Sequence, residues 1–128
     1  MTQREYMSIL LGRNRDAVAV SSLGNIGNDL KEIIHTEKIF VKGAMGCAVA
    51  VGLGYALGRP DKHIIVFIGD GALLMKLGSI ATVLRLKPKN LRIVVINNNK
   101  YGSCGGQETY FKDIKYLIPF EVFEPSIA

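Results

Sequence analysis

Residues 63–107 read HIIVFIGDGALLMKLGSIATVLRLKPKNLRIVVINNNKYGSCGGQ, and the punctuation of this stretch decides the fold. It holds two apolar runs, His63–Ile68 and Leu91–Ile96, rich in Ile and Val and too short for helices. One stops at Gly69-Asp70-Gly71 and the other at Asn97-Asn98-Asn99. Between them, apolar residues at helical spacing (Leu73, Leu77, Ile80, Ala81, Leu84) predict a helix over Ala72–Leu86. Strand, helix and strand in this length make a βαβ unit, two parallel strands joined by a right-handed crossover.

Parallel strands joined in this way end at the same edge of the sheet, the edge where open α/β sheets bind ligands. The Gly-Asp-Gly corner and the Asn triplet should therefore emerge side by side, with a helix N-terminus pointing at them. A carboxylate and a carboxamide are hard oxygen donors that suit Mg²⁺ or Ca²⁺. Gly69 and Gly71, flanking Asp70, let backbone come close to a phosphate, and a helix starting near Ala72 favours an anion. A divalent metal bridging the protein to a diphosphate is the economical reading. Structural readings compete with it at each residue: an N-cap for Asp70 and an Asx turn for the Asn triplet.

Gly69-Asp70-Gly71 followed one crossover later by Asn97-Asn98 resembles the thiamine diphosphate motif, which opens with Gly-Asp-Gly and closes with Asn-Asn. More narrowly, GDGALLMKLGSIATV and YGSCGGQET are similar to the diphosphate-binding portion of sulfopyruvate and phosphonopyruvate decarboxylases. The resemblance covers residues 1 to 110 and implies a parallel-sheet, three-layer α/β/α fold that binds thiamine diphosphate and Mg²⁺. It implies that Asp70, the Asn98 side chain and the Lys100 carbonyl ligate the metal, while Asn97 ties down the turn. Backbone N–H groups of Gly71 and Ala72 would meet the phosphates, and Tyr101 and Gly102 would lie against the cofactor.

The same resemblance gives roles to flanking segments. Asp16–Ser21 reads as a buried strand running into a small-residue corner, Ser22-Leu23-Gly24-Asn25, so Gly24 and Asn25 become cofactor-binding candidates alongside the reading of a plain turn. A helix is predicted over Gln3–Leu11, another over Gly27–His35, and a short extended piece at Ile39–Val41. The next helix should start at Gly43 and run to about Leu57, its many Ala and Gly allowing close backbone approach. By the resemblance, Met45 wedges the cofactor and the Gly43 carbonyl accepts from its pyrimidine amino group; ordinary core packing is the alternative for Met45.

Beyond Gln107 the pattern fades. Tyr110–Ala128 mixes aromatics with Pro119 and Pro125 and predicts no element, so 110–128 stands as an atypical short tail on a single 1–128 domain. The resemblance implies further elements there and, on a separate pyrimidine-binding domain, a glutamate that serves the cofactor. Glu32, Glu37 and Glu108 stand in the wrong contexts for that glutamate. A pyrimidine-domain partner subunit in an α₂β₂ or larger assembly is therefore expected, with a small 2-oxo acid as substrate.

Composition narrows the classes. With 128 residues, 48% of them hydrophobic, the chain can bury a substantial core. The net charge of +5 is spread along the chain, with Arg4, Arg13 and Arg15 as the nearest thing to a cluster, and aromatics do not interleave with basic residues. That disfavours nucleic acid as a partner. Cys47 and Cys104 stand far apart without ligand spacing, Cys104 near the site as a passive small residue, which fits a reducing, cytoplasmic setting. Gly43–Gly58, the longest uncharged run, is too short and too rich in glycine to span a bilayer. Two other functional classes remain open: the beta chain of a 2-oxo acid:ferredoxin oxidoreductase, and a shortened, non-catalytic binding module.

Overall fold

The computed structural model describes residues 1–102 and 105–126, so the reading of Cys104 lies outside the described residues. Five parallel strands form one sheet in the order β2-β1-β3-β4-β5. These are β1 (Val18–Ser22), β2 (Glu37–Val41), β3 (Ile64–Gly69), β4 (Leu91–Ile96) and β5 (Glu121–Phe123). The expected βαβ unit is present, with β3 and β4 paired from Ile64↔Leu91 to Gly69↔Ile96.

Each central strand feeds both faces, because successive side chains point to opposite sides. Val18, Val20, Ile64, Val66, Ile68, Ile93 and Val95 pack beneath α3 (Ala48–Gly58) and α4 (Asp70–Met75). Ala19, Ile65, Phe67, Val94 and Ile96 pack beneath α1 (Gln3–Gly12) and α2 (Asn25–Glu32). Full burial of each Val, Ile or Phe contributes about 1.5–3 kcal/mol. The result is the expected three-layer α/β/α architecture. The small residues of α3 serve the predicted close approach: a Cβ on Gly52 would fall 2.2 Å from Val66 Cγ2. Among the described residues no helix is long and apolar enough to cross a membrane.

Several boundaries differ from expectation, each for a tertiary reason. The helix predicted over Gly27–His35 occupies Asn25–Glu32 instead. It starts early because the β1 corner leads straight into it. It ends early because Ile33 turns extended, burying its own side chain, leaving Ile34 in solvent and sending the chain back to β2. The helix expected from Gly43 begins only at Ala48, so Gly43 and Met45 sit in a loop. The single helix expected over Ala72–Leu86 is two, α4 and α5 (Gly78–Leu86). Lys76 N–H turns back to Leu73 O at 3.1 Å, closing the first helix, where the loop before α3 presses in: a Cβ on Gly46 would fall 2.6 Å from Ala72 O. Within the tail, where no element is predicted, 3₁₀ turns at Phe111–Asp113 and Lys115–Leu117 lead into β5, which pairs in parallel with β4.

Candidate functional site

The strand order places a switch at the centre of the sheet: from β1 the chain steps outward to β2, then crosses back to β3. Crossovers leave in opposite directions there, so a crevice opens between the carboxyl ends of β1 and β3. A cleft of about 430 Å³ occupies this position. Every residue proposed from sequence for cofactor or metal lines it: Gly24 and Asn25 after β1, Gly43 and Met45 after β2, Gly69, Asp70, Gly71 and Ala72 after β3, and Asn98, Lys100, Tyr101 and Gly102 after β4. The corners touch one another. A Cβ on Gly102 would lie 3.5 Å from Asn25 Nδ2 and 3.8 Å from Asn98 Nδ2.

Asp70 is the buried charge of this cleft, 1% exposed. It occupies the first turn of α4, and the N-cap position belongs to Gly69, so the N-cap reading of Asp70 is not what the structure shows. Its Oδ1 accepts from Asn98 N–H at 3.3 Å and its Oδ2 from the Thr109 hydroxyl at 2.6 Å. None of the ion pairs among the described residues involves it. A buried carboxylate without a cation beside it is costly.

The asparagines divide their work. Asn97 is buried, and its Oδ1 accepts from Asn99 N–H at 3.0 Å, the Asx turn that ties down the corner. Asn97 Nδ2 also donates to Glu124, whose carboxyl is held below its usual range chiefly by the hydrogen bond from Lys115, then by the Lys115 charge and Asn97. Exposed Asn98 turns its Oδ1 to Lys100 N–H at 3.0 Å, leaving that oxygen a second lone pair.

Lys100 opens a short hairpin through an antiparallel bridge with Glu108. The bonds fall on either side of this pair, from Tyr101 N–H to Gln107 O and from Thr109 N–H to Asn99 O. In such a pair the N–H and C=O of both residues turn out of the hairpin. No described residue donates to the Lys100 carbonyl. The hairpin lies over the Gly-Asp-Gly corner, with the Tyr101 ring against Gly71. A side chain at position 71 would therefore meet an aromatic ring.

Met45 is 40% exposed on the rim, so the alternative of ordinary core packing does not describe it. Sequence reasoning overlooked Thr109, whose signal was its place inside the quoted YGSCGGQET, and Ser22, Ala44 and Gln3, which also line the cleft. Among the described residues no glutamate lines it.

The donor set fits a hard divalent cation that is completed by a ligand. Asp70, Asn98 and Lys100, which can offer a carboxylate, a carboxamide oxygen and a backbone carbonyl, line one cleft, and no cluster of three or more His, Cys, Asp or Glu forms among the described residues. Mg²⁺ is held in this manner, by one or two carboxylates together with phosphate oxygens and water.

The family described as thiamine pyrophosphate enzyme, C-terminal TPP binding domain, matches residues 23–125. The chain is 42% identical over 92 residues to sulfopyruvate decarboxylase subunit beta of Methanocaldococcus jannaschii, covering 69% of this chain and 48% of that one. It is 44% identical over 96 residues to phosphonopyruvate decarboxylase of Streptomyces viridochromogenes, covering 74% of this chain and 24% of that one. Among solved structures, the 2-oxoglutarate:ferredoxin oxidoreductase of Magnetococcus marinus matches with a TM-score of 0.65 and 26% identity, over 83% of this chain and 36% of that one. The chain thus spans about half the length of the first relative and about a quarter of the second.

Proposed function

Since this chain belongs to the thiamine pyrophosphate enzymes, through their C-terminal TPP-binding domain, we propose that it is the cofactor-holding subunit of a decarboxylase for a small anionic 2-oxo acid. The observation that carries the reading is Asp70: a buried carboxylate without an ion-pair partner among the described residues, at the cleft where the corners after β1, β2, β3 and β4 converge. Relatives named for sulfopyruvate and phosphonopyruvate support the substrate class.

Asp70, the Asn98 side chain and the Lys100 carbonyl would hold Mg²⁺ together with the diphosphate of thiamine diphosphate. Backbone N–H groups of Gly71 and Ala72, in the first turn of α4, would add to the anion's binding. When bound, the cofactor supplies an electron sink for loss of CO₂ from a 2-oxo acid. The chain's own part is to bind, orient and shelter. Met45 and Gly43, on the exposed rim, would support the organic half, and Tyr101, packed at Gly71, would help shelter the diphosphate corner from water.

The cleft offers no glutamate among the described residues, which supports a site completed by a pyrimidine-binding domain on a partner subunit. An α₂β₂ or larger assembly, in a cytoplasmic setting, fits this reading. The test is a decarboxylase assay with sulfopyruvate or phosphonopyruvate, using this chain with and without such a subunit. Turnover only with both is expected; robust turnover by this chain alone would overturn the shared-site reading. The likeness to the Magnetococcus marinus oxidoreductase favours a second reading, the beta chain of a 2-oxo acid:ferredoxin oxidoreductase. Dye reduction coupled to 2-oxo acid consumption would identify that activity.

A further inference from the structure

Thr109 has no part in the assignments above, yet it is the one side chain among the described residues that donates to Asp70. It is 7% exposed, and its hydroxyl lies 2.6 Å from Asp70 Oδ2. The same oxygen accepts from Phe111 N–H at 3.3 Å. A hydroxyl has a single hydrogen, and a carboxylate oxygen only accepts, so the Thr109 proton points at Asp70. The backbone of Thr109 is fixed as well, its N–H bonded to Asn99 O at 2.9 Å beside the Lys100↔Glu108 bridge. Phe111, two residues on, is fully buried and anchors the far side.

We infer that Thr109 is a positioning residue: it ties the Asp70 carboxylate to the 99–109 hairpin, so that Asp70, Asn98 and the Lys100 carbonyl meet a divalent cation as a preassembled set. This rests on the proposed cofactor site and deepens it. Asp70 leaves β3 and the other two donors leave β4, so their separation depends on what joins the corners. Two hydrogen bonds join them at Asp70, one from Asn98 N–H and one from Thr109. The Thr109 bond is the shorter and the more buried. Without it, only the longer bond from Asn98 N–H sets the orientation of the Asp70 carboxylate.

The test uses Mn²⁺ as the probe, titrated into the full chain with thiamine diphosphate and the pyrimidine-domain subunit present, and followed by electron paramagnetic resonance. Metal-free thermal unfolding is measured alongside. Thr109→Val keeps the shape and removes the donor, and should weaken Mn²⁺ binding by about 10–100-fold, the usual loss when a partner of a ligand is removed. Thr109→Ser keeps the donor and should retain affinity close to that of the parent, even where the loss of a methyl lowers the unfolding temperature. Thr109→Ala takes the place of valine should valine disturb folding. Parent-like affinity in the donor-free variant would overturn the inference. So would a serine variant that loses affinity as much as valine, in step with its unfolding temperature. Absence of Mn²⁺ binding by the parent would instead remove the cofactor reading itself, and is seen before any substitution is compared.

Discussion

The ring of Tyr101 occupies the place where a side chain at position 71 would have to go: a Cβ on Gly71 would fall 2.6 Å from both Cδ1 and Cε1 of Tyr101. Gly71 is thus one of the contacts through which the hairpin after β4 settles on the corner after β3. Gly71→Ala forces the ring or the helix to move, an overpacking change that costs about 1–3 kcal/mol. Tyr101→Ala should remove the conflict. Urea unfolding of both single variants and the double variant should show a coupling of about 0.5–3 kcal/mol, the double recovering much of the loss caused by Gly71→Ala. Strict additivity would mean that the two residues do not meet.

Met45 separates two halves of the proposed site. It is exposed in the loop after β2, whereas Asp70 is buried after β3, so Met45→Ala should leave binding of Mg²⁺-pyrophosphate unchanged while weakening that of Mg²⁺-thiamine diphosphate. Calorimetry with the two ligands makes the comparison. Equal losses for both would place Met45 among the residues that shape the diphosphate corner.

The central strands were legible in the sequence because their apolar runs are continuous and rich in β-branched residues, and strands buried on both faces need no alternation. The edge of the sheet that carries the cleft was legible too, because a βαβ unit fixes which ends of its strands lie together, whereas its place between β1 and β3 follows from the strand order. What local pattern could not show was where one segment interrupts another. The apolar spacing from Leu73 to Leu84 passes unbroken through Lys76 and Leu77, and the break there comes from the loop around Gly46 lodging against Ala72 O. In that loop Gly43 and Gly46 take positive φ, outside right-handed helical backbone, and α3 begins only at Ala48. β5 was hidden for a related reason: three residues near Pro119 and Pro125 carry little preference of their own and become a strand by pairing with β4. Thr109 was passed over because its partner, Asp70, lies 39 positions away.

Asn90 provides a stability contrast at the opposite end of the sheet. Its Nδ2 lies 3.0 Å from Ala56 O, 3.0 Å from Arg59 O and 2.7 Å from Lys62 O, gathering the end of α3 and the following turn against the start of β4. Asn90→Ala leaves these carbonyls without that donor and should cost about 1–3 kcal/mol. The midpoint of urea unfolding should fall while cofactor affinity stays at the parent value, because the strand starts lie far from the cleft. A fall in affinity at full folding would contradict this separation.

The most direct measurement of the central claim is calorimetric titration of thiamine diphosphate with Mg²⁺ into the parent, Asp70→Ala and Asn98→Ala chains, each with the pyrimidine-domain subunit present. Asp70 would contribute a charged ligand and Asn98 a neutral one. Asp70→Ala should therefore weaken binding by more than the roughly 10–100-fold typical of outer-shell changes, and Asn98→Ala by less than Asp70→Ala. Metal-free melting curves identify any variant that fails to fold. Parent affinity in both folded variants would contradict the account, because the buried carboxylate at the convergence of the corners would then hold no metal.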